Sequence, residues 1–284
     1  MRSRWVPVLG GGGFRKLAYT EWGEAGAGKR TLICVHGLTR VGRDFDYLAE
    51  ALSDRFRVIC PDVAGRGQSD WLADAQLYDL PLYMADMASL IARLDVEEVD
   101  WLGTSMGGLV GLLLAAQPMT PIKRLILNDV GAVLSGSALA RIAGYVGSRP
   151  LFPDIETAEA HFRKVHAPFG ALSDIQWRRL AETSLRPAPG GFEFHYDPKI
   201  ALRFKAAPAA DVDLWPVWHM VTCPVLAIRG QVSDLLSAET LAQMAASKPG
   251  LCRTAEIPGC GHAPSLMDQD QIGLIRDWLL AEGT

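Results

Sequence analysis

The feature that most constrains the fold is the stretch 101–110, in which an apolar run leads through a turn of small residues into a second apolar run. The turn has the form Gly103-x-Ser105-x-Gly107. The run before the turn predicts a buried strand and the run after it predicts a helix. Only glycine at the two flanking positions lets the strand and helix close on each other without a Cβ clash. The pattern therefore predicts a serine held in a strained turn at the tip of a strand, with its hydroxyl presented at the edge of a sheet.

Strand-like and helical patterns alternate along much of the chain. Apolar, β-branched runs lie at 31–36, 57–62, 122–130, 224–230 and 253–257. Helical spacing of apolar residues lies between them, as at 83–94, and in a closing helix at 266–279. This alternation predicts βαβ units and a mostly parallel sheet, whose ligands gather at the carboxyl ends of the strands. The glycine run at 10–13 predicts a hairpin turn and not a phosphate loop, because a strand and not a helix follows it.

The segment 132–221 differs in character from the rest. Strand-like runs vanish there, while aromatic residues sit among short helical patterns broken by prolines. We expect a mostly helical cap at 132–221, inserted into a core formed by 1–131 and 222–284. Some of the aromatic side chains are expected to line an apolar pocket over Ser105.

Composition narrows the class of protein further. The 284 residues are 49% hydrophobic and 21% charged, which predicts a folded chain with a large core. The net charge of -4 and scattered basic residues predict that nucleic acid is not a partner. No run has the length of a membrane span, and no signal-like apolar run follows the first arginines, so we expect a cytoplasmic protein without a membrane partner. The five cysteines have no paired spacing, which predicts reduced thiols, no metal and no disulfide framework.

Three residues have the types and the chain order of a serine hydrolase triad. A serine is a poor nucleophile at its free pKa and needs a base within hydrogen-bond reach, with a carboxylate to orient that base. Ser105, Asp234 and His262 meet this need: Asp234 follows a late strand, and His262 lies in a glycine-rich loop after the last one. No cofactor is required for such chemistry.

Two backbone N–H groups are candidates for an oxyanion hole. One is the N–H of Met106, which directly follows the serine. The other is the N–H of Leu38, in the loop that follows the strand at 31–36 and its His36-Gly37 pair. His36 precedes the serine in the chain, so we interpret it as a structural residue that braces this loop.

These features together resemble the α/β-hydrolase superfamily over essentially the whole chain. The motifs that carry the resemblance are His36-Gly37, Asp62-x-x-Gly65-x-Gly67-x-Ser69, Gly103-Thr104-Ser105-Met106-Gly107-Gly108, Gly230-x-x-Ser233-Asp234 and Gly259-Cys260-Gly261-His262. The resemblance implies an eight-stranded, mostly parallel sheet flanked by helices, with a helical cap after the sixth strand. It also implies that Ser105 is the nucleophile, Asp234 the acid and His262 the base. The Ser-Met-Gly-Gly form is similar to that of capped esterases and enol-lactonases.

Asp129 is a rival for the acid, because the acid follows the sixth strand in some members of the superfamily. The motif ending in Asp234 is the commoner arrangement, so Asp234 is favoured. On this basis, Asp234→Asn is expected to reduce turnover far more than Asp129→Asn.

The predicted activity is hydrolysis of a small, apolar carboxylic ester through an acyl-enzyme, with lactones and thioesters as related substrates. Two alternatives remain open. One is cleavage of a C–C bond in a dicarbonyl substrate, which a serine triad on the same fold also supports. The other is a small-molecule receptor or pseudoenzyme whose cap closes on an apolar ligand.

Overall fold

A computed structural model describes residues 1–26, 28–206 and 210–281. The strands in the described residues are β1 Arg2–Leu9, β2 Phe14–Trp22, β3 Arg30–Val35, β4 Phe56–Pro61, β5 Val99–Thr104, β6 Ile122–Asn128, β7 Val133–Leu134, β8 Leu185–Ala188, β9 Gly191–Phe194, β10 Val212–Asp213, β11 Val225–Gly230 and β12 Cys252–Ile257. The helices are α1 Asp46–Leu52, α2 Leu80–Arg93, α3 Met106–Ala115, α4 Gly136–Tyr145, α5 Ile155–Val165, α6 Asp174–Ser184, α7 Ile200–Ala206, α8 Trp215–Met220, α9 Ala238–Ser247 and α10 Gln269–Leu280.

Eight strands form one sheet in the order β1-β2-β4-β3-β5-β6-β11-β12. β1 and β2 form an antiparallel hairpin in which Leu9 pairs with Phe14, so the glycine run between them is a turn, as predicted. β2 also pairs antiparallel with β4, and the remaining neighbours pair in parallel. The prediction of an eight-stranded, mostly parallel sheet is confirmed.

The central strands of the sheet are buried on both faces, as β3, β5 and β11 show. Successive side chains of a strand point to opposite sides, so each of these strands contributes to two clusters. On β3, Ile33 and Val35 belong to a cluster that includes Met87 of α2 and Val110 of α3. The alternate residues of β3 belong to a second cluster, which includes side chains of α1 and α10. The sheet therefore lies between two layers of helices, and its strand ends are held in fixed positions.

A long segment is inserted between β6 and β11, which are neighbours in the sheet. It carries α4 to α8, and helices α5 and α6 pack around buried Phe152, Phe162 and Trp177. It also carries the short strand pairs β7 with β10 and β8 with β9. The sequence did not reveal these strands, because two to four residues are too short to show a periodic pattern.

The domain boundaries at 131/132 and 221/222 remain predictions. Positions 27, 207–209 and 282–284 lie outside the described residues.

In the part of the chain that the structure describes, no helix combines the length and apolar character that crossing a bilayer requires. All five cysteines are free thiols, and Cys34 and Cys60 lie in the buried cluster beneath α1 and α10. These two side chains therefore pack as small hydrophobic groups.

Candidate active site

Ser105 lies between β5 and α3, in the strained turn that the sequence predicts. Its φ of 52° and ψ of -114° are unusual for a residue with a side chain. A Cβ on Gly103 would lie 2.2 Å from backbone atoms of Gly107, and a Cβ on Gly107 would lie 2.0 Å from the Val35 carbonyl oxygen. Gly103 is thus required for the close approach of β5 to α3, and Gly107 for the close approach of α3 to β3. Both approaches support the conformation of Ser105.

His262 contacts Ser105 from the loop after β12. Its Nε2 is 2.9 Å from the Ser105 hydroxyl oxygen. Its Nδ1 is 2.7 Å from Oδ2 of Asp129. Since an ionised carboxylate can only accept, Nδ1 carries a proton, and in a neutral imidazole Nε2 is then free to accept the serine proton. The two contacts thus orient the imidazole so that Nε2 faces the Ser105 hydroxyl.

Asp129 directly follows β6 and has a fully buried side chain. Its Oδ1 accepts the N–H of Gly230 at 2.8 Å, and its Oδ2 accepts the hydroxyl of Ser233 at 2.5 Å in addition to His262. Its backbone has a φ of 55°, an uncommon value for a non-glycine residue. Three donors therefore hold this carboxylate in one orientation.

The assignment of Asp234 as the partner of His262 is contradicted by this geometry. The Asp234 side chain is 45% exposed and forms a bidentate ion pair with Arg141 of α4, at 2.6 and 2.8 Å. Partial burial alone would raise the pKa of Asp234, but the hydrogen bonds and charge of Arg141 lower it. Asp234 thus links the turn after β11 to the inserted segment.

The order of the strands explains why Asp129 is the partner. β6 lies between β5, which leads into Ser105, and β11, which is followed by β12 and the loop of His262. Adjacent strands are about 4.8 Å apart, so a side chain at the end of β6 is within reach of both neighbours. The turn after β11 contributes Ser233 instead of Asp234. The sequence motif signalled this turn, but the residue of the turn that contacts Asp129 is its serine.

Leu38 and Met106 line the same cavity as Ser105. In the described ranges their backbone N–H groups donate to no other residue. His36 fixes the first of them. Its Nδ1 donates to the Gly37 carbonyl at 2.7 Å, and its Nε2 accepts the N–H of Val63 at 3.0 Å. In a trans peptide the N–H of Leu38 points opposite to the Gly37 carbonyl, so this bond sets its direction. His36 therefore lies where the sequence placed it, as a brace of the loop and not beside Ser105.

Burial accounts for the charge state of His36. Desolvation lowers its pKa to about 3, because the imidazolium form would lose its hydration in this fully buried position. A neutral ring with the proton on Nδ1 satisfies both of its hydrogen bonds. The loop that carries Leu38 is thus held by an uncharged side chain.

A cavity of about 440 Å³ opens over Ser105 and His262. Its apolar wall includes Leu38, Tyr78, Tyr83, Leu109, Val130, Leu134, Leu139, Ile142, Tyr145, Phe169, Ile200 and Phe204. Several of these come from the inserted segment, and the polar side chains of Arg40, Asp79 and Arg141 also reach the lining. The volume and lining are those of a small-molecule site.

The fold, the strained turn that carries Ser105 and the cavity define a hydrolase of the α/β type. Residues 32–272 match the model of the alpha/beta hydrolase family, and the chain belongs to this family. Among its relatives is a 3-hydroxybutyrate-oligomer hydrolase of Cupriavidus necator, 46% identical over 282 residues, which are 96% of each chain. The chain is 31% identical to a 2-(acetamidomethylene)succinate hydrolase of Mesorhizobium japonicum, over 84% of this chain and 83% of that one.

Solved structures agree with this assignment. An alpha/beta hydrolase from Novosphingobium aromaticivorans has a TM-score of 0.87 and 35% identity, covering 98% of this chain and 97% of the other. The predictions of the family and of an enzyme that hydrolyses ester bonds are therefore confirmed.

Proposed function

We propose that the protein is a serine esterase that cleaves short oligomers of 3-hydroxybutyrate, with Ser105 as nucleophile, His262 as base and Asp129 as the orienting acid. The observation that carries this proposal is the chain of hydrogen bonds from Ser105 through His262 to buried Asp129, at 2.9 and 2.7 Å, on the floor of the apolar cavity. The relative from Cupriavidus necator supports the choice of substrate.

The chemistry of the substrate fits the cavity. An oligomer of 3-hydroxybutyrate consists of four-carbon units with a methyl branch, joined by esters between a carboxyl group and the next hydroxyl. Its methyl groups suit the apolar wall formed in part by Leu139 and Ile142 of α4. In this proposal the inserted segment at 132–221 is the cap that supplies this wall and limits the length of the chain that enters.

Acylation follows from the geometry. His262 Nε2 takes the proton of the Ser105 hydroxyl as its oxygen attacks the ester carbonyl carbon. The carbonyl oxygen becomes an anion and accepts the N–H groups of Leu38 and Met106. When the intermediate collapses, the C–O bond to the neighbouring unit breaks, and His262 returns its proton to that oxygen. The shortened oligomer leaves as an alcohol and Ser105 carries the acyl group.

Deacylation repeats these steps with water. His262 takes a proton from water, the resulting hydroxide attacks the acyl carbon, and the second tetrahedral anion occupies the same N–H pair. When this intermediate collapses, the C–O bond to Ser105 breaks and His262 returns its proton to the Ser105 oxygen. The 3-hydroxybutyrate acid leaves and the Ser105 hydroxyl is restored. Asp129 holds the ring orientation throughout and stabilises the imidazolium form of His262. A cytoplasmic location, and the absence of nucleic-acid and membrane partners, remain predictions from the sequence.

The test is a time course of 3-hydroxybutyrate release from the dimer and trimer by the wild type and by Ser105→Ala. We expect rapid release by the wild type and a loss of at least about 10⁴-fold in the variant, since removing the nucleophile abolishes the acyl-enzyme route. p-Nitrophenyl butyrate is the parallel substrate. It reports ester hydrolysis whether or not the natural acid is correct.

The outcomes separate the parts of the proposal. Hydrolysis of the nitrophenyl ester without cleavage of the dimer would reject the substrate and keep the esterase. 2-(Acetamidomethylene)succinate, named for the relative from Mesorhizobium japonicum, would then be the next compound to assay. Equal rates for wild type and Ser105→Ala on every ester would reject the mechanism.

A further inference from the structure

Arg66 is a fully buried arginine in the loop that follows β4. It occupies the centre of Gly65-Arg66-Gly67, where Gly65 has a φ of +81° and Gly67 a φ of +51°. A Cβ on Gly67 would lie 2.2 Å from the Asp62 carboxylate, so the chain can turn sharply here only with glycine. The turn directs the arginine side chain inward, toward the active site and not toward solvent.

The guanidinium of Arg66 contacts both residues of the proposed oxyanion hole. Its Nε donates to the carbonyl oxygen of Leu38 at 2.9 Å. Its Nη2 is 3.6 Å from the sulfur of Met106. Its Nη1 donates to the Ala64 carbonyl at 2.7 Å and to the Tyr83 hydroxyl at 2.8 Å, which fixes the plane of the group.

All of these partners are uncharged. In the described parts of the chain Arg66 forms no ion pair, and the groups that contact it are dipoles and the faces of two tyrosine rings. One of these, Tyr78, donates its hydroxyl to the buried carboxylate of Asp197 at 2.7 Å. The centroids of Tyr83 and Tyr78 lie 5.0 and 5.9 Å from the guanidinium carbon. An arginine keeps its proton in proteins, so a positive charge is buried here with no carboxylate in direct contact. Such burial is costly unless something compensates for it.

We propose that Arg66 is a positioning residue for the oxyanion hole, whose charge is compensated when the anionic tetrahedral intermediate forms. Its bond to the Leu38 carbonyl fixes the peptide that follows Leu38, while His36 fixes the peptide that precedes it. The Leu38 N–H is therefore held from both sides. In this proposal Arg66 does not touch the substrate: it acts by holding the Leu38 peptide and through the effect of its charge on the oxyanion.

The charge itself favours the intermediate over the bound ester. A neutral ester gains little from a nearby cation, whereas an oxyanion between Leu38 and Met106 gains from a charge in a medium of low dielectric constant. Interactions that are stronger in the transition state than in the ground state raise kcat and leave KM nearly unchanged. This inference rests on the proposed function, because the oxyanion hole is part of it.

The experiment compares Arg66→Gln and Arg66→Lys with wild type on p-nitrophenyl butyrate. Arg178→Gln, which removes a half-exposed arginine of the outer helix α6, is the matched control. Inhibition by an alkyl trifluoromethyl ketone, which forms a tetrahedral anion with the serine, is measured beside inhibition by the matching methyl ketone. Thermal unfolding of each variant is followed in parallel.

For Arg66→Gln we expect kcat to fall about 10- to 100-fold, somewhat less than the loss of a direct donor. KM and the methyl ketone affinity should stay within about threefold, and the trifluoromethyl ketone should weaken by nearly the same factor as kcat. Arg66→Lys keeps a positive charge but loses the planar guanidinium with its several donors. Its kcat should lie between those of Arg66→Gln and wild type. Arg178→Gln should match wild type.

Two results would overturn the inference while the proposed function stands: a folded Arg66→Gln with unchanged kcat, or a loss of kcat with equal weakening of both ketones. If Arg66→Gln does not fold, Arg66→Lys is used in its place. The inference is overturned if the affinity for the trifluoromethyl ketone relative to that for the methyl ketone is the same in Arg66→Lys as in wild type. If wild type itself does not hydrolyse the ester, the proposed function fails first and the inference fails with it.

Discussion

The end of β6 and the turn after β11 each carry an aspartate, and the two carboxylates have opposite surroundings. Asp129 is fully buried and accepts bonds from His262, Ser233 and Gly230. Asp234 is half exposed and is paired with Arg141 on the inserted segment. The difference teaches that an aspartate in a sequence motif typical of serine hydrolases does not for that reason contact the histidine. Burial between neighbouring strand ends decides which carboxylate reaches the imidazole.

The largest expected effect is the loss of Asp129. Asp129→Asn should lower kcat on p-nitrophenyl butyrate by about 10⁴-fold, because an amide no longer holds the correct tautomer of His262. Asp234→Asn should leave kcat within about threefold. Steady-state kinetics on both variants, with thermal unfolding to verify the fold, make the comparison. A loss in Asp234→Asn that equals or exceeds that in Asp129→Asn would restore the assignment made from the sequence.

A substitution at Ser233 tests the contribution of the turn after β11 while both aspartates are retained. Ser233→Ala removes a hydrogen bond to a buried carboxylate, worth about 1.5–3 kcal/mol, and should lower kcat roughly 10-fold as Asp129 loses part of its orientation. Ser237→Ala is the matched control. It removes the serine that caps α9 and should cost stability of about 1 kcal/mol while kcat stays at the wild-type value. Equal kcat values for the two variants would show that the Ser233 contact is not used.

The pH dependence of stability tests whether the buried side chain of His36 is held in its neutral form. The pKa of His36 is lowered by burial to about 3, whereas the unfolded value is about 6.5. Between these values the unfolded chain binds the extra proton, so stability rises with pH and is lost as pH falls below about 6.5. This group alone should remove about 2 kcal/mol between pH 8 and pH 5.

Urea unfolding of wild type and His36→Gln at pH 8 and pH 5 measures this contribution of His36 to the free energy of unfolding. The destabilisation caused by His36→Gln should be about 2 kcal/mol smaller at pH 5 than at pH 8, because the variant has no imidazole to protonate. Taking the difference between the two proteins removes the contribution of the carboxylates that they share. A penalty that is the same at both pH values would mean that His36 is not held neutral.

The smallest expected effect belongs to the ion pair of Asp234. A double-mutant cycle with Asp234→Asn and Arg141→Gln should give a coupling energy of about 0.2–1 kcal/mol in the free energy of unfolding, as for other exposed pairs. The coupling should decline as salt is raised, since solvent-exposed charges are screened. A coupling of several kcal/mol would instead place Asp234 in a desolvated network comparable to that of Asp129.

Patterns that are local in the chain were sufficient for much of the fold. The alternation of strand and helix signals predicted the parallel sheet, and the glycines around Ser105 predicted the sharp turn that the structure contains. The contact of Ser105 with His262 was also expected, because both residues follow strands whose carboxyl ends share one edge of the sheet. Such features depend on the spacing of apolar residues and on the size of side chains over a few positions. Both can be read directly from a single sequence.

Contacts between distant segments were decided only by the tertiary structure. The strand order places β6 between β5 and β11, and this order makes Asp129 the partner of His262 and gives Ser233 a role that the motif did not reveal. The short strands of the inserted segment and the contacts of Arg66 with Leu38 and Met106 likewise depend on packing. The physical reason is one of range: residue types and their spacing specify local conformation, whereas the direction of a buried carboxylate or guanidinium depends on the neighbours that the whole fold brings to it.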